Sequence, residues 1–139
     1  MNHTIEWQEP DGTDAVEIAG TTDSVGDFAV DGQQLVQVAQ GVRAASSRPI
    51  NRRNVGVRVS FTVRYEPAAS PLAAETDIVS RTAALVAATA TRSLLEGVFS
   101  TLTWQLADAA LESFRFSQVG TTVIGQFIFV GGAFTDESA

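Results

Sequence analysis

Any chemistry in this chain would have to be built from carboxylates and arginines. The sequence holds 16 Asp and Glu, no Lys, no Cys and one histidine, His3; all nine basic residues are Arg. Without a thiol or a second imidazole, disulfides, thiolate nucleophiles, His-based triads and ordinary zinc sites have no material. His3 falls in what reads as a mobile terminus. No Gly-x-Ser-x-Gly elbow, Walker loop or dinucleotide fingerprint occurs, and Gly125 and Gly131-Gly132 lack the following helix that a phosphate loop needs. Glu9, Asp11 and Asp14 around Gly12 offer loop oxygens to Ca²⁺ but lack the spaced acids and closing Glu of an EF-hand loop, which favours a solvated turn. Glu6, Glu17, Asp23 and Asp27 could act as acid and base only if the fold gathered them in a pocket, and the pattern does not demand it. The expectation is a protein that is not an enzyme and uses no cofactor or metal.

The arrangement of charge says more than any motif. Through Val42 there are eight acids and no base; Arg43 to Arg64 holds six Arg and no acid; from Tyr65 onward there are eight acids and three Arg. Such sorting gives a domain surfaces of opposite sign, which steer association and set partner orientation. Arg43, Arg48, Arg52, Arg53, Arg58 and Arg64 on one side, with Asp11, Asp14, Asp23 and Asp27 on the other, are the candidate interface residues. Arg pairs bidentately with carboxylates, as an interface favours, although a high-GC coding bias also accounts for the missing Lys. Phosphate binding by the Arg block is the rival reading. A net charge of -7, the lack of interleaved aromatics in the block before Phe61 and the absence of a reader motif weigh against it.

The elements that must carry these charges are mostly strands. Val55, Val57, Val59, Phe61, Val63 and Tyr65 alternate with Gly56, Arg58, Ser60, Thr62 and Arg64, which predicts a long half-buried strand of firm register. Asp27 to Ala39 reads as a hairpin turning at Asp31-Gly32, and Gly41 to Asn54 as a basic loop. Thr4–Trp7 and Val16–Ala19 read as short strands around a Pro10-Asp11-Gly12 turn. Ser70-Pro71 is a helix start, and Leu72, Ile78, Val79, Leu85 and Val86 mark the stripe of a helix to about Ala88 that lies flat on a sheet. Strands then return. One turns at Glu96-Gly97 into Val98–Leu106, and a second runs Leu111–Val119. Thr122–Val130 is apolar on both faces and is therefore expected to be central, or covered by the helix or a neighbouring subunit. Trp104 reads as core; Trp7 reads as core or as an anchor on a neighbour.

A chain of 139 residues with 45% hydrophobic and 18% charged residues suits one domain, 1–139, with a real core. Residues 1–24 form a short acidic arm and 135–139 a tail expected to fray. No stretch approaches the roughly 18 apolar residues of a membrane span. The opening residues lack the basic and apolar regions of a secretory leader, so synthesis and residence in a cytoplasm are expected. Seven or eight strands and one helix predict an α+β domain: an antiparallel β-sandwich or half-barrel with one helix packed against it.

Asn51-Arg52-Arg53-Asn54-Val55 running into Ser60-Phe61-Thr62-Val63, then the helix, then Asp108-Ala109-Ala110-Leu111-Glu112-Ser113 and Ser117-Gln118-Val119-Gly120, resembles small structural proteins of bacteriophage and prophage tail modules. The order of elements over roughly residues 25 to 134 is similar to the tail-tube fold. The resemblance implies a subunit of closed rings, usually hexameric, whose sheets join edge to edge around a channel and whose rings stack. It also implies a virion protein made in the host bacterial cytoplasm. Its partners would be copies of itself, neighbouring tail proteins and genomic DNA sliding past an acidic lumen without specific binding. Gly41–Asn54 is the only candidate for a stacking loop. A monomeric or dimeric β-sandwich binding a carbohydrate or protein ligand is the alternative.

Overall fold

The alternation centred on Phe61 becomes the spine of the molecule. The computed structural model describes residues 3–39 and 48–138, with segments 33–39 and 48–55 described through their backbone. Among these are nine strands and one helix: β1 (Thr4–Gln8), β2 (Val16–Ala19), β3 (Ser24–Ala39), β4 (Arg48–Arg64), α1 (Pro71–Ala88), β5 (Leu94–Phe99), β6 (Leu102–Ala107), β7 (Ala110–Val119), β8 (Thr122–Gly131) and β9 (Ala133–Asp136). They form two antiparallel sheets, one of order β2-β1-β5-β6-β9 and one of order β3-β4-β8-β7. The α+β sandwich expected from the pattern is the one the chain adopts.

The core lies between the sheets. Val57, Val59, Phe61 and Val63 of β4 and Val123, Phe127 and Phe129 of β8 face Ile5, Trp7, Leu95, Trp104 and Leu106 of the other sheet, all buried. Strand β8 is interior to its sheet, as its two apolar faces required. Phe61 stacks on Phe127 and Phe129 at centroid distances of 5.5 and 6.1 Å, and Trp7 meets Phe129 edge-on at 5.3 Å. Trp7 is therefore core and not an anchor on a neighbour; its indole N–H donates to the Ala109 carbonyl at 3.3 Å.

Several local signals are overridden by pairing. The turn expected at Asp31-Gly32 does not form, because β3 runs straight through it, with Asp31 opposite Arg58 and Gly32 opposite Val57. The partner is β4, and the ladder extends from Ser24↔Arg64 to Ala39↔Arg48, with breaks in register at Gly26/Ala29, Gln33/Gln34 and Gln37/Val38. Such bulges absorb residues that local turn chemistry would otherwise claim. Residues 48–54 of the expected basic loop belong to β4; 40–47 lie outside the described residues.

The turn expected at Glu96-Gly97 falls instead at Ser100-Thr101, where Ser100 takes φ 57° and Phe99 pairs with Leu102. Gly97 sits mid-strand because the Trp104 indole lies over it, and a Cβ there would intrude into the ring. The C-terminal segment is not loose at Thr135 and Asp136, which pair in β9 with Gln105 and Trp104.

Helix α1 starts as its sequence dictates. The Ser70 hydroxyl oxygen accepts from the Ala73 N–H at 3.1 Å and Pro71 occupies the first turn. The buried face is Ala74, Ile78, Leu85 and Ala88, turned toward β2, β7 and β8. Leu72, Val79 and Val86, expected in the same stripe, are 73%, 69% and 58% exposed. An Ala-rich helix carries two apolar faces; on the buried one Ala74 and Ala88 lie close to the core while Ile78 and Leu85 fill the space beside them.

Gly97→Ala should destabilise the fold by about 2 kcal/mol through overpacking. Gly26→Ala, where an added Cβ meets nothing within 4 Å, should be near neutral. Urea unfolding of both variants checks this; equal effects would mean that the Trp104 contact does not constrain β5.

Candidate assembly interface

Two strands of the four-stranded sheet end it without a partner. Among the described residues β3 pairs only with β4, and β7 only with β8. They are 16 and 10 residues long. Long unpaired edges present rows of N–H and C=O groups, and stable monomers usually blunt or cover them. Apolar side chains on these edges remain partly open: Phe28 and Val30 of β3 at 39% and 41%, and Val119 of β7 at 65%.

Strand β4 pairs with β8 only from Val57 onward, whereas β3 accompanies it back to Arg48. Residues 33–39 and 48–56 are thus a two-stranded ribbon reaching roughly 20 Å past the sheet, at about 3.3 Å per residue. Segment 33–56 contains Arg43, Arg48, Arg52 and Arg53 and no acid. Arg48 stands opposite Ala39, Arg52 opposite Val36 and Arg53 opposite Leu35; Arg43 lies outside the described residues. An isolated two-stranded ribbon is marginal in water, so this basic projection is suited to resting on another surface.

The other candidate residues divide. Arg58 donates from Nε and Nη2 to Glu112 of β7 at 2.9 and 3.2 Å, so it is engaged within the molecule. Arg64 is exposed at the far end of β4, opposite Ser24 and Ile124. Asp27 takes φ 53° at the β3 bulge and lines an open hollow with Ser60, Thr62, Arg115 and Gln126. Asp11 accepts from the Thr13 hydroxyl at 2.7 Å and backbone N–H at 3.0 Å, and the hydroxyl bond chiefly holds its carboxyl below the usual range. Asp14 pairs with Arg92 at 2.6 Å.

Asp23 has to be removed from the interface set. It is 4% exposed, and its carboxylate accepts from the Gly20 N–H at 2.8 Å and the Glu66 N–H at 3.1 Å, pinning the β2–β3 turn to the end of β4. Gly20 has a buried N–H and Glu66 a partly buried one, both without a strand partner, and Asp23 supplies the acceptor. The Glu9, Asp11 and Asp14 cluster directs its carboxylates to Thr13 and Arg92, and among the described residues no group of three potential metal ligands converges. His3 also departs from expectation: its ring is held against Phe28, Phe99 and Trp104.

One feature escaped the sequence reading. Glu17, Glu6 and Glu96 stand directly abreast on β2, β1 and β5, and the row continues through Gln105 to Thr135. Gln8 donates to Glu6 at 3.3 Å and Gln105 to Glu96 at 2.8 Å. The ion pairs among the described residues are Arg58–Glu112, Arg81–Asp77 and Arg92–Asp14, and none reaches this row. Adjacent like charges across strands destabilise a sheet. The only signal in the sequence was Glu6 between buried Ile5 and Trp7; the row exists because β1 lies between β2 and β5.

With this geometry in view, comparisons bear on the fold. No protein-family model and no curated protein sequence matches the chain. Among solved structures, the tail of an empty gene transfer agent particle, refined helically with C6 symmetry, aligns over 97% of this chain and 95% of its own. The TM-score is 0.54 at 10% identity. A chain of the virion of a native gene transfer agent particle aligns over 99% of this chain and 96% of its own, also at TM-score 0.54 and 10% identity. The fold is thus of the class found in phage-like tails. The chain resembles a tail structural protein with a tail-tube-like fold.

Glu6→Gln, which removes the central charge of the row, should stabilise the isolated protein by up to about 0.5 kcal/mol at low salt. The gain should shrink as salt is added. Urea midpoints at two ionic strengths measure it, and a loss of stability would mean that a cation compensates the row.

Proposed function

We propose that this protein is a non-enzymatic structural subunit of a bacteriophage tail or related injection particle. It assembles into rings that stack into a tube or an adjoining ring. The observation that carries the reading is a four-stranded sheet with two different open edges, β3 and β7, in a chain with the fold of a gene transfer agent tail protein. A contact between two unlike patches is heterologous, and it closes into a ring when the rotation allows. Pairing β3 of one copy with β7 of the next continues the sheet and covers Phe28, Val30 and Val119. Six copies match the C6 symmetry of the gene transfer agent tail the chain resembles.

In such a ring the inner face of the four-stranded sheet is taken up by the core, so its outer face would line the channel. That face carries Ser60, Thr62, Ser113, Ser117 and Gln126 beside Ile124, Ile128 and Val130 of β8; Arg58 and Glu112 neutralise one another, and Arg64 and Arg115 share the face with Asp27 and Asp31. It mixes polar and aliphatic side chains with nearly balanced charge; the Glu row belongs to the other sheet. Such a wall would let DNA pass without reading it. The basic ribbon, with Arg48, Arg52 and Arg53, reaches acids on an adjacent copy and holds rings in register. The protein accordingly resides in the assembled particle.

Size-exclusion chromatography with light scattering, followed by negative-stain imaging, tests the reading. Rings or tubes are expected, and a strict monomer at high concentration would leave the binding-module alternative in possession. The Arg52→Glu, Arg53→Glu variant should fold normally and lose assembly by tenfold or more at low salt; undiminished assembly would remove the ribbon from the interface.

A further inference from the structure

His3, immediately before β1, places its ring against side chains of three other strands. Its ring meets Phe28 of β3 at 5.3 Å, Phe99 of β5 at 5.8 Å and Trp104 of β6 at 5.8 Å, all edge-on. Trp104 is 2% exposed, stacked on Phe134 at 5.6 Å and tilted against Phe28 at 5.2 Å. The indole has one polar atom, and its N–H donates to His3 Nε2 at 2.9 Å. That bond specifies the protonation state of the imidazole. Nε2 must present its lone pair, so the ring is neutral with its proton on Nδ1.

We propose that His3 is a pH-operated clasp. When neutral it satisfies Trp104 and closes an apolar patch between the sheets; when protonated it lets go. A proton on Nε2 sets two donors face to face and leaves the buried indole N–H without an acceptor, which is costly. Release requires little else to move, since the β1 ladder begins one residue later, at Thr4↔Val98. It would uncover Phe28, Phe99 and Leu102, already 39%, 45% and 46% exposed, as a continuous apolar surface beside the open edge of β3.

The surroundings favour the neutral ring. The facing groups on β3, β5 and β6 are Phe28, Phe99 and Trp104. The nearest charged residues along each packed element are Glu6 on β1, Asp27 on β3, Glu96 on β5 and Asp136 on β9, the last opposite Trp104 in register. No carboxylate pairs with His3 among the described residues. Burial holds the pKa of the imidazole below the usual histidine value. The unfolded chain binds the proton more readily than the folded one. The clasp's contribution is complete above the usual histidine pKa and is lost as pH falls through the lowered folded value.

The test follows the two indole N–H resonances of the full chain by ¹⁵N–¹H NMR from about pH 8 to about pH 5, the range in which histidine titrates. Trp7, bonded to a backbone carbonyl, is the internal control. The Trp104 signal should shift with one midpoint below 6.5, the ordinary value, while Trp7 stays still. Binding of an apolar-surface dye should rise several-fold with the same midpoint. In His3→Gln, whose amide oxygen accepts without titrating, both transitions should vanish. A Trp104 signal that stays fixed while the imidazole titrates would overturn the proposal, since the aromatic faces would then hold the cation in place. The same transition in His3→Gln would equally overturn it by assigning the change to carboxylates.

Discussion

The pairing of β4 is the constraint from which the rest of the molecule follows. At 17 residues it is the longest strand described, yet β8 accompanies it over only its C-terminal half. That half is buried on one face against Trp7, Trp104 and Leu106 of the second sheet, and a one-residue slip would turn Val57, Val59, Phe61 and Val63 to solvent. Register there is therefore firm, and it fixes β3 between the bulges, from Ala29 to Gln33. The other half has no third strand beneath it and projects as a ribbon. A well-determined core and an unsupported basic arm are thus two ends of one strand.

The same division governs the charges. Over the body of the sheet Arg58 finds a partner inside the chain, Glu112. Where arginine lies on the ribbon, the structure supplies no acid beside it in register. The acids left over are not scattered: Glu17, Glu6 and Glu96 form a line across the five-stranded sheet. A chain that tolerates like charges abreast on one surface and an acid-free basic arm on another forgoes stability as a monomer. In the proposed assembly that arrangement would be offset by contacts between copies, for which the open edges of β3 and β7 offer backbone groups.

Much of the fold was legible. The β4 alternation, the doubly apolar β8, the bounds of β2 and the Ser70-Pro71 start of α1 are signals in which one strong periodicity or cap has no competitor. The misreadings share a cause. Asp31-Gly32 and Glu96-Gly97 carry good local turn chemistry, and each lost to a non-local partner: β4 in the first case and the Trp104 indole in the second. The exposed Leu72, Val79 and Val86 stripe of α1 was indistinguishable in sequence from the buried one, because both repeat at helical spacing. The candidate site was legible as a set of charges but not as a surface. Asp23 proved to be an internal pin, and the Glu row depended on strand order.

By itself, then, the sequence determined which stretches alternate, where the helix begins, that the charges are sorted and that familiar catalytic chemistry lacks its residues. Those are properties of neighbours along the chain, and hydrophobic periodicity and capping report them directly. Only the tertiary structure decided which edges remain open, which arginine is spent internally, that three glutamates stand side by side and that His3 answers the indole of Trp104, 101 residues away. Each depends on which strands lie together, a choice made by burial of the whole core that no local window contains.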